Sequence, residues 1–311
     1  MKRVFIDGSA GTTGLRIRER LAERPGIELI ALPEALRKDA SARRDALNGA
    51  DIAFLCLPDA AAIEAVALVE NPDTAIIDTS TAHRTAQGWV YGFAELPGQR
   101  ARIAASKRIA NPGCHASGFI ALIAPLVHAG LLNQDAALCC TSLTGYSGGG
   151  KKMIAEYEAE GRSPLLDAPR QYGLTQQHKH LKEMAAVCGL AQAPAFMPIG
   201  GDFYSGMEVS VPLFASQLNG SIDDVKAAYR AAYAGPVVRF AEAPDEGGFL
   251  SAGALSGRDD MEISVAGNAG RIVVTARFDN LGKGASGAAI QNMNLLLGFS
   301  ETEGLVISRH G

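Results

Sequence analysis

Five cysteines are too few and too badly spaced to staple this chain or to hold a metal. None forms a CxxC pair, none stands at a Cys/His spacing suited to zinc, and Cys139 and Cys140 are adjacent. A disulfide framework and a zinc centre are excluded, and reduced thiols with no bound metal are expected. An excess of basic charge is also missing. With 29 basic and 33 acidic residues the net charge is −4, spread along the chain, which leaves no field for nucleic acid and no polybasic anchor for a membrane surface. No apolar run approaches the roughly 20 residues of a membrane span. Met1-Lys2-Arg3 leads into a short strand rather than an apolar leader, so a cytoplasmic protein is expected.

The remaining composition is that of a globular protein, with 47% hydrophobic and 20% charged residues. The 35 glycines imply many tight turns and close backbone approaches. At 311 residues the chain exceeds what one core of about 250–300 residues accommodates, which predicts two lobes.

Residues 3–21 read as strand, glycine turn and helix. Gly8, Gly11 and Gly14 would let the backbone approach a pyrophosphate whose charge rests on the helix N-terminus, with Thr12 and Thr13 offering hydroxyls. The spacing is GxxGxxG rather than GxGxxG, but the strand-before, helix-after context of a dinucleotide site is present. A second strand follows at 27–32. Beyond it Glu34 would favour a free ribose 2′-hydroxyl, whereas Arg37 and Lys38 would hold a 2′-phosphate, and both readings stay open. The run 51–58 is a buried-type strand closed by Pro58, 60–69 is an Ala-rich helix, and 74–80 repeats the strand. This rhythm predicts a parallel sheet with ligands at the carboxyl ends of its strands, at the Gly8, Pro58 and Ser80 loops. Cys56 reads as core. Asp78, Ser80, His83 and Arg84 crowd one strand end, where Arg84 could clamp an anion bidentately and His83 reads as a loop residue without chemistry.

The stretch Asn111-Pro112-Gly113-Cys114 is where chemistry is expected. Asn-Pro and Pro-Gly form turns, so Cys114 emerges from a tight bend at the start of the apolar run 119–127. A cysteine at a helix N-terminus feels unpaired N–H groups that favour the thiolate and could stabilise an oxyanion. The alternative is a buried structural cysteine. His178 and His180 form the only closely spaced His pair. Within a helix, residues two apart lie on different faces and could not both reach one metal, whereas at a helix start one of them can enter a cleft as general base. His178 is favoured over His115, which adjoins the nucleophile, and over His128. Segments 196–214 and 262–278 alternate apolar and polar residues around a helix at 222–233, which predicts an α+β lobe with a mainly antiparallel sheet and an open face. Gly145 to Lys152 reads as a loop containing Ser147. Asn280 and Lys283 stand where a glycine loop enters the last helix, a place suited to a charged or amide ligand.

Taken together, the Gly8–Gly14 turn, Asp78-Thr79-Ser80-Thr81-Ala82-His83-Arg84, Asn111-Pro112-Gly113-Cys114 and Asp279-Asn280-Leu281-Gly282-Lys283-Gly284-Ala285 resemble the N-acetyl-γ-glutamyl-phosphate reductases of arginine biosynthesis, in their shorter form. The motifs occur in the expected order over almost the whole chain. The resemblance implies a Rossmann domain over 1–114 and 285–311 and a catalytic and dimerisation domain over 115–284. It implies an acyl-phosphate substrate, NADP as cofactor, and a homodimer or homotetramer. By the same resemblance Cys114 is the nucleophile that forms a thioacyl intermediate, His178 or His180 the acid/base, and Arg84 a substrate anchor, with Ser147 and Lys152 beside it. The cofactor set is Gly8, Gly11, Thr12, Thr13, Gly14, Arg37, Pro58, Ser80, Asn280 and Lys283. No match to a second substrate arginine is found around 198–202, which leaves Lys152, Arg162 and Arg170 as candidates. Two rivals remain: an aspartate-semialdehyde dehydrogenase, which shares the nucleophile and the turn, and a non-catalytic nucleotide-sensing Rossmann module in which Cys114 is merely core.

Overall fold

Short strands buried on both faces alternate with helices from the first residues of the chain. In the computed structural model, which describes residues 1–308, the order is β1 (Lys2–Asp7), α1 (Thr12–Leu21), β2 (Ile27–Ile30), α2 (Ala40–Asn48), β3 (Ile52–Leu55), α3 (Asp59–Ala67), β4 (Ala75–Asp78), β5 (Val90–Tyr91), α4 (Gln99–Ala105) and β6 (Arg108–Ala110). The six strands pair in the order β2-β1-β3-β4-β6-β5, every pair parallel. All four residues of β3 and all four of β4 are buried, as strands covered on both faces must be.

The chain then continues through α5 (Cys114–His128), β7 (Cys139–Gly145), α6 (Gly150–Glu158), β8 (Arg170–Gln171), α7 (Leu181–Cys188), β9 (Ala195–Gly201), β10 (Met207–Phe214), α8 (Ile222–Ala232), β11 (Val238–Phe240), β12 (Met261–Asn268) and β13 (Arg271–Phe278). A π-helical turn at Gly282–Ser286 precedes α9 (Gly287–Leu297), whose Ala289 and Met293 complete the core of the first sheet. The second sheet runs β11-β12-β13-β10-β7-β9-β8. Its β11–β12 and β7–β9 pairs are parallel and the rest antiparallel, so the expected α/β arrangement of a Rossmann-type sheet plus a mainly antiparallel α+β lobe is found. The segments 196–201 and 207–214 are not neighbours, because β7 lies between them. Residues 145–152 are not a plain loop either, since a 3-10 turn at Tyr146–Gly149 leads straight into α6.

Helix α5 is the spine of the second unit, buried along most of its length. Pro125 has no N–H to give the carbonyl of Ala121, and the phenol of Tyr233 donates to that carbonyl at 2.6 Å instead. Tyr229 does the same for Leu122 at 2.6 Å. Burial pushes both phenols well above their ordinary value, which keeps them donors.

The compact units are Met1–Ala94, Gly98–Pro112 and Ala285–Leu305 on one side, and Glu95–Pro97, Gly113–Gly284 and the described residues from Val306 on the other. The division expected from the sequence falls directly after Cys114 and carries the first domain to the end of the chain. Three contacts explain the difference. Gly113 donates to Glu183, Glu95 pairs with Lys283, and the backbone of Val306 pairs with Asp259.

Candidate functional site

In the first unit the glycine turn has the geometry its residues require. Gly8 adopts φ +85°, and a Cβ there would lie 2.2 Å from the Cys56 carbonyl oxygen. No side chain larger than hydrogen is tolerated. Gly11 caps α1 without a side-chain hydrogen bond, and Thr12 and Thr13 open the helix, so the first N–H groups are presented to an anion. Beside the turn is a cavity of about 570 Å³ lined by Asp7, Gly8, Glu34, Arg37, Lys38 and Arg43, among others. Arg43 donates twice to Asp7 Oδ2, at 3.0 and 2.8 Å. Glu34, Arg37 and Lys38 are exposed. Of the other expected cofactor residues here, Pro58 caps α3, and Ser80 is turned inward, with its Oγ donating to Asp78 Oδ2 at 2.7 Å. Arg84 donates from Nε to the Asn111 carbonyl at 3.0 Å and from NH2 to the Thr79 carbonyl at 3.1 Å.

In the second unit Cys114 is the first residue of α5 and is half-buried, behind a Gly113 cap that makes no side-chain hydrogen bond. Across from it is Gly284, where an added Cβ would come within 2.9 Å of Cys114 Cβ. The Gly113 N–H donates at 3.2 Å to Glu183, a carboxylate buried to 2% exposure in the first turn of α7.

The histidine pair stands at a helix start, as expected, and both of its imidazoles turn toward each other. His178 and His180 do not lie on different faces of a helix, because α7 begins only at Leu181, with His180 as its cap. Gln176 sits at φ +56°, the only non-glycine residue with positive φ among those described. Its amide is locked to the Phe196 backbone by two 2.7 Å hydrogen bonds, which over-determine an uncommon conformation. The bend brings the two imidazoles together, with centroids 4.7 Å apart and planes at 83°, while His178 Nδ1 accepts from the His180 N–H at 3.2 Å.

His115 joins them. Its ring lies 5.4 Å from that of His178 and 5.6 Å from that of His180, with Nδ1 2.7 Å from Ser142 Oγ and Nε2 2.7 Å from the Tyr172 hydroxyl. Burial first, and the neighbouring His178 second, pull the His115 pKa down to about 3, so this imidazole is neutral at physiological pH. The Tyr172 phenol is pushed up by burial and then by the Cys114 sulfur, so it keeps its proton. Three residues were thus underrated or missed. His115 adjoins the nucleophile and gives no separate signal, Tyr172 carries no motif, and Glu183 has one legible signal, an acid in the run from Leu181 to Met184.

The His115 shift carries a sign. Between about 6.5, the ordinary imidazole value, and about 3 the unfolded chain takes up a proton that the folded chain refuses. Stability therefore falls as pH falls through that window, by about 1.4 kcal/mol per unit from this residue. Urea unfolding at pH 7 and pH 5 should show the native chain losing ground to His115→Asn on acidification, and a constant difference would contradict the shift.

The remaining expected site residues lie elsewhere in the second unit. Ser147 is buried and accepts from Asn280 Nδ2 at 3.0 Å, while Asn280 Oδ1 accepts from the Gly206 N–H at 3.0 Å. Both ends of that amide are used inside the unit. Lys283 Nζ donates to Glu95 Oε2 at 2.7 Å, with side chains 1% and 3% exposed, so its charge is already paired. Lys152 is exposed on α6. Arg162 is taken by Asp202 and Asp167 at 2.5 and 2.8 Å, and Arg170 lies over the Tyr157 ring at 5.4 Å.

A glycine-turned parallel sheet with a nucleotide-sized cavity, followed by a unit that seats a cysteine at a helix start beside imidazoles, is the plan of a semialdehyde dehydrogenase. The family model "Semialdehyde dehydrogenase, NAD binding domain" matches residues 3–105, and "Semialdehyde dehydrogenase, dimerisation domain" matches residues 114–280. The chain is 45% identical over 318 residues to N-acetyl-gamma-glutamyl-phosphate reductase 2 of Nostoc sp., covering 97% of this chain and 99% of that one. It is 48% identical over 310 residues to the N-acetyl-gamma-glutamyl-phosphate reductase of Brucella ovis, covering 95% and 99%. Within the semialdehyde dehydrogenases, then, the chain belongs to the N-acetyl-γ-glutamyl-phosphate reductase family. Among solved structures, aspartate semialdehyde dehydrogenase II of Vibrio cholerae superposes with a TM-score of 0.71 at 17% identity, over 96% of this chain and 98% of that one. The aspartate semialdehyde dehydrogenase of Francisella tularensis gives 0.70 at 15%, over 96% and 100%. These two show the shared fold. Among the described residues no helix is long and apolar enough to cross a membrane.

Proposed function

We propose that this chain reduces N-acetyl-γ-glutamyl phosphate to N-acetylglutamate 5-semialdehyde and inorganic phosphate, with NADPH as reductant. The observation that carries this reading is the seating of Cys114 at the uncapped start of α5, near enough to Tyr172 to raise its pKa and next to His115, whose ring meets those of His178 and His180, in a chain related over its whole length to reductases of that name. Cys114 Sγ attacks the acyl carbon, the carbon–oxygen bond to phosphate breaks, and a thioester to Cys114 remains. The α5 N–H groups receive the oxyanion that forms on attack. When bound, the cofactor supplies the hydride that reduces this thioester. Cys114 then leaves as thiolate, and His178 or His180 handles the proton. Neutral His115, held between Ser142 and Tyr172, keeps the Tyr172 hydroxyl aimed.

Gly8, Gly11, Thr12, Thr13 and Gly14 cradle the pyrophosphate. Arg37 and Lys38 hold the 2′-phosphate, outweighing Glu34 at the same cavity wall. Arg37→Ala with Lys38→Ala should raise the KM for NADPH by about 10–100-fold, the loss of one or two hydrogen bonds to a charged group, and leave that for NADH nearly unchanged. The decisive assay runs the reaction in reverse, with inorganic phosphate and NADP. Turnover of N-acetylglutamate 5-semialdehyde with little turnover of aspartate semialdehyde is expected, and the opposite preference would sink the reading. The second sheet leaves Phe214 59% and Val273 39% exposed, side by side with Pro212 on β10 and β13. We assign this face to a second copy of the chain, in a homodimer or a homotetramer built from it.

A further inference from the structure

The loop between β4 and β5 contains a hydrogen-bonded chain that the reaction above does not use. Asp78, the last residue of β4, is fully buried, and a buried carboxylate persists only when its oxygens are satisfied. Oδ1 accepts from the Ser80 N–H at 2.9 Å, and Oδ2 accepts from Ser80 Oγ at 2.7 Å and from His83 Nδ1 at 2.6 Å. The far side of the His83 ring is covered by Trp89, stacked at 4.0 Å and 16°. His83 is therefore clamped between a fixed acceptor and a fixed aromatic face. The next residue is Arg84, whose guanidinium is tied to the carbonyl of Thr79, just after β4, and to that of Asn111, just after β6.

We infer that His83 is a positioning residue for Arg84: the Asp78–His83–Trp89 clamp sets the backbone from which Arg84 reaches the anionic group of the substrate. This rests on the function proposed above, with Arg84 as substrate anchor. It reverses the sequence expectation that His83 has no chemistry. A long arginine on an unclamped loop samples many rotamers, and ordering it costs binding free energy each time a substrate arrives. Clamping its neighbour removes that cost beforehand.

The test uses the whole protein and has two readouts. His83→Ala should raise the KM for acyl phosphate about tenfold, the worth of one lost hydrogen bond to a charged group, with kcat and the KM for NADPH close to wild type. His83→Asn, whose amide can reach Asp78 from about the place of Nδ1, should restore most of it. The second readout is optical, because Trp89 is the only tryptophan in the chain and it touches His83. Inorganic phosphate should titrate its emission in the wild type and in His83→Asn, about tenfold more weakly in His83→Ala, and not at all in Arg84→Met. If His83→Ala loses thermal stability while its KM and its phosphate titration match wild type, the clamp is merely structural and the inference fails. It fails equally if kcat falls and KM stays. If the wild type turns over no acyl phosphate, the proposed function has failed, and the phosphate titration of Trp89 still decides the role of His83.

Discussion

Cys114→Ser is expected to abolish NADPH-dependent reduction of the acyl phosphate, lowering kcat by on the order of 10⁴-fold or more, as removal of a covalent nucleophile does. Two physical effects add up to that loss. A serine hydroxyl at the start of α5 stays protonated where a thiol ionises, and an oxygen ester is a poorer hydride acceptor and leaving group than a thioester. NADPH affinity should be unchanged, because the glycine turn and the cavity beside it draw only on residues of the first unit. Stopped-flow turnover paired with a cofactor titration checks both halves. Substantial turnover retained in Cys114→Ser would refute the covalent route, and lost NADPH binding would show that the variant is damaged elsewhere.

Lys283→Met should cost the second unit about 3–5 kcal/mol, the penalty for stranding one partner of a buried ion pair. Its partner Glu95 would be left 3% exposed with no cation at 2.7 Å. Melting should drop by roughly 6–20 °C, at about 2–4 °C per kcal/mol for a unit of this size. Replacing both, Glu95→Leu with Lys283→Met, should recover most of the loss, since paired charges exchanged for apolar groups of similar volume are often neutral. Calorimetry on the two variants therefore separates a structural ion pair from the cofactor contact that the sequence suggested. If the double variant melts normally but binds NADPH much more weakly than wild type, Lys283 does serve the cofactor and the ion pair is secondary.

These two residues also mark how far local information reaches. Cys114 was legible because everything that places it is adjacent: two turn formers before it and an apolar run after it, so the helix start follows from backbone preferences alone. The pairing of Lys283 is not legible in the sequence, for the opposite reason. Its motif invites a ligand, but the group that takes its charge is 188 residues away in sequence, and nothing in either segment announces the pairing. The histidines lie between these cases. Their presence as a pair was evident, while their convergence depends on Gln176 in a conformation that only its bonds to Phe196 sustain. Helical periodicity says nothing of rings that stand before the first turn of α7. His115, adjacent to the nucleophile, was discounted because sequence distance is silent on Ser142 and Tyr172, which hold it in place.

The amino-acid sequence by itself determined the glycine turn and the helix after it, the alternation that builds a parallel sheet first and a mainly antiparallel one second, and the family through motifs in order. Each of these follows from neighbours within a few residues, where sterics and hydrophobic period dominate. Only the tertiary structure decided which strand lies between β9 and β10, which charges are spent on one another, and which imidazoles meet. Those outcomes depend on contacts between distant segments, whose free energy is realised only when the whole core closes and water is excluded from it.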